Sequence, residues 1–223
     1  MQRVRLLLRV ISNRTVQPDA RSRYTRFIQG TSMSAAMSDW ITRHRITVDE
    51  YYRMAEVGIL PPDARVELIE GVIIDMAPIG SGHGGTVTQL GQLLSKAVGD
   101  LAFVLMQQVV RLSDISEPQP DLALIQPRTD FYKKKHPGPD DTLLLIEVSD
   151  SSLRYDLEVK APLYAVHGIP EFWIIDLQGR QIRFFRSPQS GRYTDVATTS
   201  GPGVVTPIAI PGVQIDLTHV LDE

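Results

Sequence analysis

The run DTLLLIEVSD, residues 141–150, constrains the fold more than any other part of the chain. Its apolar residues follow one another without polar alternation, so the strand they form is buried on both faces, at the centre of a sheet covered on both sides. Glu147 sits at the end of that run. An ionised carboxylate left unpaired there costs at least several kcal/mol, so a metal, a lysine or a set of donors must stand beside it.

The segments around this strand are read from period and punctuation. Thr47-Val48-Asp49-Glu50 is a capping box that opens a helix running to about Val57, before Pro61-Pro62. Residues 65–76, RVELIEGVIIDM, form a hairpin around Glu70-Gly71. GSGHGG, residues 80–85, reads as a loop, and Thr86 to Val98 as an amphipathic helix with Val87, Leu90, Leu94 and Val98 on one face. FVLMQQVVRL, DLALI, EFWIIDL and QIRFFRS are further strands, with one helix from Ser152 to His167 that ends at Gly168. From Gly191 the pattern is of short β segments, and there is no internal repeat. The fold class is α/β: a mixed β-sheet with α-helices packed on its faces.

A chain of 223 residues suits one domain, and 43% hydrophobic with 22% charged residues is an ordinary globular balance. The absence of cysteine removes disulfide scaffolds, thiolate metal sites and cysteine nucleophiles, and suits a reducing compartment such as the cytoplasm. Net charge is −3, so a nucleic-acid partner has to be met by a local basic surface. Residues 1–40 carry seven arginines against Asp19 and Asp39, +5 in all, which leaves −8 for residues 41–223. The opening stretch is too short and too often broken by arginine for a membrane span or a secretory signal. It reads as a basic, disordered extension, an organellar presequence, or a start placed upstream of the true one at Met33 or Met37, with the folded domain at 41–223.

Asp121 opens the strand DLALI directly after Pro120, where it is either a turn initiator or a second carboxylate at the mouth of a strand adjacent to that of Glu147. Asp156 and Lys160 are four apart and share a helix face, with Tyr164 one turn on; a surface ion pair is the bland alternative. GSGHGG lacks the Lys-Ser/Thr ending of a nucleotide loop. It is a flexible connection, or else it offers backbone amides to a DNA phosphate with His83 as a further contact. The basic loop Lys133-Lys134-Lys135-His136 is a solvated loop or touches DNA phosphates. The histidines at 44, 83, 136, 167 and 219 show no zinc spacing; Phe172 and Trp173 fit strand packing, and Asp176 is structural.

The series ELIEG, PDLALI and LLLIEVSDSSLRYDLEVKAPLYAVHGIPEFWIIDL resembles the Uma-type “putative restriction endonuclease” family of the PD-(D/E)XK nuclease superfamily, over roughly residues 47–217. The resemblance implies a restriction-endonuclease-like mixed sheet flanked by helices, with acids that bind Mg²⁺ and a lysine beside the reacting phosphate. Asp121 matches the Asp of the PD element, Glu147 the acid of the second element, and Glu67 an upstream acid associated with the metal. The usual lysine position, two residues after the acid, is Ser149; Lys160 on the following helix is the matching lysine, within reach through its four-carbon stem. Asp121 and Glu147 are hard ligands suited to Mg²⁺ or Mn²⁺, to which the carbonyl of Val148 adds another. The expected function is divalent-metal-dependent hydrolysis of DNA by an endonuclease, as a monomer or a homodimer and without a membrane. The alternatives are an inactive nucleic-acid-binding protein that kept the fold and a metal-dependent hydrolase of another phosphoester.

Overall fold

The computed structural model describes residues 42–222, so the reading of residues 1–40 lies outside the described residues. The capping box forms as expected: Thr47 and Glu50 satisfy each other's backbone amides at the start of α1, Val48–Glu56. Strands β1, Val66–Ile69, and β2, Val72–Asp75, pair antiparallel through Glu70 and Gly71. Both turn residues have positive φ, 51° and 76°, as a two-residue hairpin turn demands.

Helix α2 spans Ser81–Val98 and corrects the loop expected at residues 80–85. Glycine disfavours helix by about 1 kcal/mol per residue. Here the stripe Val87, Leu90, Gly91, Leu94 and Val98 is buried against the sheet, and that packing carries the helix back through the glycines. His83 is thereby fixed in the first turn of a helix instead of a mobile connection.

Six strands follow, β3 Phe103–Met106, β4 Leu122–Ile125, β5 Thr142–Ser149, β6 Glu171–Asp176, β7 Gln181–Gln189 and β8 Arg192–Thr199, in the spatial order β3-β4-β5-β6-β7-β8. FVLMQQVVRL is strand only in its first four residues, and the stretch after Gly191 begins with the eight-residue β8 before the short pair β9, Val204–Val205, and β10, Ile215–Asp216. Among the described strands, only β5 and β6 pair parallel. A parallel pair requires a crossover, and the segment between them supplies α3: helical at Leu153–Tyr155, a π-helical turn at Asp156–Lys160, and α-helical again at Ala161–Val166. The π turn has a local cause. Pro162 lacks an N–H, and in an α-helix its ring would meet the carbonyl of residue 158; widening lets the Ala161 N–H reach the Asp156 carbonyl, five residues back.

The residues from Arg45 onward cluster as one compact unit, with apolar contacts on both faces of the sheet. Because strand side chains alternate, Leu122, Leu124, Leu144, Ile146 and Val148 face α2 and the C-terminal segment, whereas Ala123, Ile125, Leu145 and Phe172 face α3. Burying each such side chain contributes about 1.5–3 kcal/mol. The same alternation puts Glu147 and Ser149 on the α3 side. Among the described residues, no helix is long and apolar enough to cross a membrane.

Candidate active site

Strand β4 begins at Leu122, opposite Ile146, so Asp121 and Glu147 lie next to each other where β4 starts and β5 continues. The Asp121 N–H donates to Glu147 Oε2 at 3.3 Å, and the Val148 N–H donates to Asp121 Oδ2 at 2.9 Å. In a strand the N–H and C=O of one residue point the same way, so the Val148 carbonyl is directed toward the same opening, while its side chain is buried in the core.

Helix α3 brings Lys160 to this point. Its Nζ stands 2.9 Å from Glu147 Oε1 and 2.9 Å from Glu67 Oε2, and the residue is only 2% exposed. The bland reading of an Asp156–Lys160 surface pair is therefore corrected: both are buried, and the lysine's ion pairs go to Glu147 and Glu67. The Asp156 carboxylate instead accepts from the Ser149 and Ser152 hydroxyls. Ser149, the usual lysine position, thus faces the helix that carries the lysine in this chain. Two tyrosines on α3 complete the ring, Tyr164 donating to Glu147 Oε1 and Tyr155 to Glu67 Oε1, both at 2.8 Å. The Gln119 N–H donates to Glu67 Oε2 at 3.0 Å.

His83 also belongs here: its Nε2 is 2.8 Å from Asp121 Oδ1, which accepts in addition from the Gln107 side-chain amide at 3.3 Å. The site opens through a cleft of about 290 Å³ between β2 and the segment that follows it and the start of α3, with Arg65 at the rim. Lys133 and Lys134, exposed, lie beyond the opposite end of β4 and do not reach this cleft. Tyr155, Tyr164, Gln119 and Gln107 had no assigned role from sequence. The tyrosines at −5 and +4 from Lys160 carry a faint helical-face signal, but Gln107 enters through strand pairing, which leaves no trace in local pattern.

Burial pushes the Glu147 carboxyl up to about 8, with Lys160 pulling it down and Asp121, Asp156 and Glu67 pushing it up. Burial alone would lower the Lys160 ammonium, yet Glu147, Tyr164 and Glu67 together outweigh it and hold the group well above its ordinary value. Lys160 is a permanent cation, suited to donate and to stabilise charge and unsuited to take a proton. The hydrogen bond to Asp121 raises His83, against the lowering effect of burial. Burial raises Asp156 despite its two hydroxyl donors.

The donor set fits a divalent cation by its chemistry. Glu67, Asp121, Glu147 and Asp156 surround one ammonium and one imidazole, an excess of hard oxygen that a proton or a dication neutralises. Among the described residues, no group of three or more acidic and histidine side chains stands ready to hold a metal ion. Lys160 stands between Glu67 and Glu147, 2.9 Å from an oxygen of each, so Glu67 is engaged by the lysine.

The chain is similar in fold to a crystal structure described as “a putative nuclease belonging to DUF820” from Anabaena variabilis, with TM-score 0.60 and 17% identity, covering 79% of this chain and 97% of that one. No curated protein matches it. The family model described as “Putative restriction endonuclease” matches residues 48–218, which takes in β1, the Asp121–Glu147 strand mouth and all of α3. With the mixed sheet flanked by helices and the acid series in place, the chain belongs to this Uma2 family.

Proposed function

We propose that the chain is a divalent-metal-dependent endonuclease that hydrolyses phosphodiester bonds in DNA. The observation that carries this reading is the meeting of Asp121, Glu147 and Lys160 at one strand mouth inside a cleft, with the lysine 2.9 Å from Glu147. Asp121, Glu147 and the Val148 carbonyl would hold Mg²⁺ or Mn²⁺. When bound, the ion supplies charge neutralisation at the phosphoryl oxygens and lowers the pKa of an attacking water. The protein's own residues do the rest. Glu67 and Tyr155 hold the Lys160 chain in place, so its ammonium donates without reorganisation to charge that develops on the phosphate. Tyr164 and the Asp121 N–H orient the two Glu147 oxygens. His83 and Gln107 fix Asp121, and the Arg65 guanidinium at the rim suits a neighbouring phosphate.

The test is plasmid nicking by wild type and Glu147→Gln with Mg²⁺, with Mn²⁺ and with EDTA. Metal-dependent nicking that vanishes in the variant is expected; equal nicking by the variant, or nicking in EDTA, overturns the proposal.

A further inference from the structure

A second surface lies at the other end of β4. Five residue steps separate Asp121 from Gln126, about 17 Å at the rise of a strand. There residues 128–136 fold over the start of β3. Phe131 and Tyr132 both take left-handed backbone, φ 53° and 57°, a costly conformation for two consecutive aromatic residues. For Tyr132 the gain is visible: its hydroxyl donates to the Gln126 carbonyl at 2.8 Å, and Arg128, paired with Asp130 at 3.0 Å, lies 4.6 Å above its ring.

Phe131 has no comparable gain within the fold. Its ring stacks on Phe103, centroids 5.2 Å apart and planes 9° from parallel, yet the residue remains 63% exposed. A ring held in water by a strained backbone and backed by a second ring is what a nucleobase stacks on. Three exposed lysines follow at once, and the Lys133 ammonium is 6.0 Å from the Phe131 centroid.

A groove of about 410 Å³ runs alongside β3 from this end. Its floor is the outer edge of β3 from Phe103 to Leu105, the end strand among the described residues, and its walls are the end of α2 and the pair Phe131 and Tyr132. At its near end lies Gln108, next to Gln107, whose side chain holds Asp121.

We propose that Phe131, backed by Phe103, with Lys133, Lys134 and Lys135, forms a stacking platform for an unpaired base of a single-stranded nucleic-acid segment that follows the β3 groove toward the acid cleft. The proposal rests on the nuclease reading and sharpens it, because it makes the substrate one with an unpaired stretch to one side of the cut. In a chain of net charge −3, the lysine run supplies the local cations that a phosphate backbone needs. A peptide strand would use the main chain of the β3 edge and leave the lysines without a role.

Fluorescence anisotropy with a labelled single-stranded oligonucleotide and with its duplex, in EDTA so that nothing is cut, tests this on the full chain. The single strand is expected to bind more tightly than the duplex. Phe131→Ala weakens single-strand binding by about 5- to 150-fold, the scale of one lost stacked base, and Phe131→Trp keeps it. Replacing the three lysines with alanine lowers the slope of log affinity against log salt by about 2. Single-strand affinity unchanged in Phe131→Ala, an equal loss on the duplex, failure of folded Phe131→Trp to bind, or capture of an extended peptide in place of the oligonucleotide overturns the proposal. Because the assay needs no metal, a chain that binds in this way and never nicks DNA refutes the nuclease reading alone. One that nicks normally but binds single strands without Phe131 refutes the platform alone.

Discussion

Lys160→Met is the sharpest perturbation of the site, because one ammonium, 2% exposed, serves two buried carboxylates at 2.9 Å each. Removing one partner of a buried ion pair costs about 3–5 kcal/mol, since the charge left behind keeps its desolvation penalty. At roughly 2–4 °C per kcal/mol for a chain of this size, the melting temperature falls by roughly 6–20 °C under alkaline conditions. The loss depends on pH with a definite sign. Burial raises Glu147 to about 8 even with the lysine beside it, and without that cation it holds its proton more strongly still when folded. A carboxyl raised in the folded state contributes stability that is complete below its unfolded value, about 4.5, and is lost as pH rises through the folded value. Wild type and variant therefore lose stability alike, about 1.4 kcal/mol per pH unit, from about 4.5 to about 8, and above about 8, where Glu147 ionises in wild type but keeps its proton in the variant, the variant falls further behind. Differential scanning calorimetry across that range measures it. Lys160→Met/Glu147→Gln should recover part of the loss, because an uncharged amide needs no counter-ion. A single variant that melts within about 2 °C of wild type at alkaline pH, with the same pH slope, refutes the buried-cation account.

His83→Ala should raise the Mn²⁺ dissociation constant measured by titration calorimetry about 10- to 100-fold through the loss of a group that orients Asp121, with the melting temperature nearly unchanged. In wild type, Mn²⁺ binding should tighten as pH rises through about 8, where the Glu147 proton leaves; Glu147→Gln should abolish that dependence. In Lys160→Met, cleavage should fall by about 10²-fold or more, and adding Ser149→Lys should restore part of it, since position 149 faces Asp156 on the same side of β5 as Glu147; plasmid nicking reads both.

Much of the site was legible because Glu147 is a carboxylate in an apolar strand, a conflict visible without any structure. Asp121 was legible as a second acid at a strand mouth, and Lys160 entered through the family resemblance, which puts the lysine on the helix beyond Ser149. The loop expected at 80–85 was not, because glycine propensity spoke against helix while the burial of Val87, Leu90 and Leu94 decided for it. His83 consequently moved from a marginal contact to a partner of Asp121. The surface reading of Asp156 and Lys160 failed for a similar reason: a spacing of four gives a shared face, and which face is buried depends on the crossover that lays α3 across the sheet.

By itself the sequence determined the covered central strand, the hairpin, the capped first helix, the α/β class and the residue types of the acid series. These follow from local propensity and from hydrophobic period, which act within a few residues. Tertiary structure alone decided that Lys160 bridges Glu67 and Glu147, that Ser149 serves Asp156, that His83 and Gln107 hold Asp121, and that Phe131 is kept in solvent on top of Phe103. Each of those contacts joins residues on different elements, seven or more positions apart, and its energy depends on desolvation and strand register, which exist only once the sheet has closed over the site.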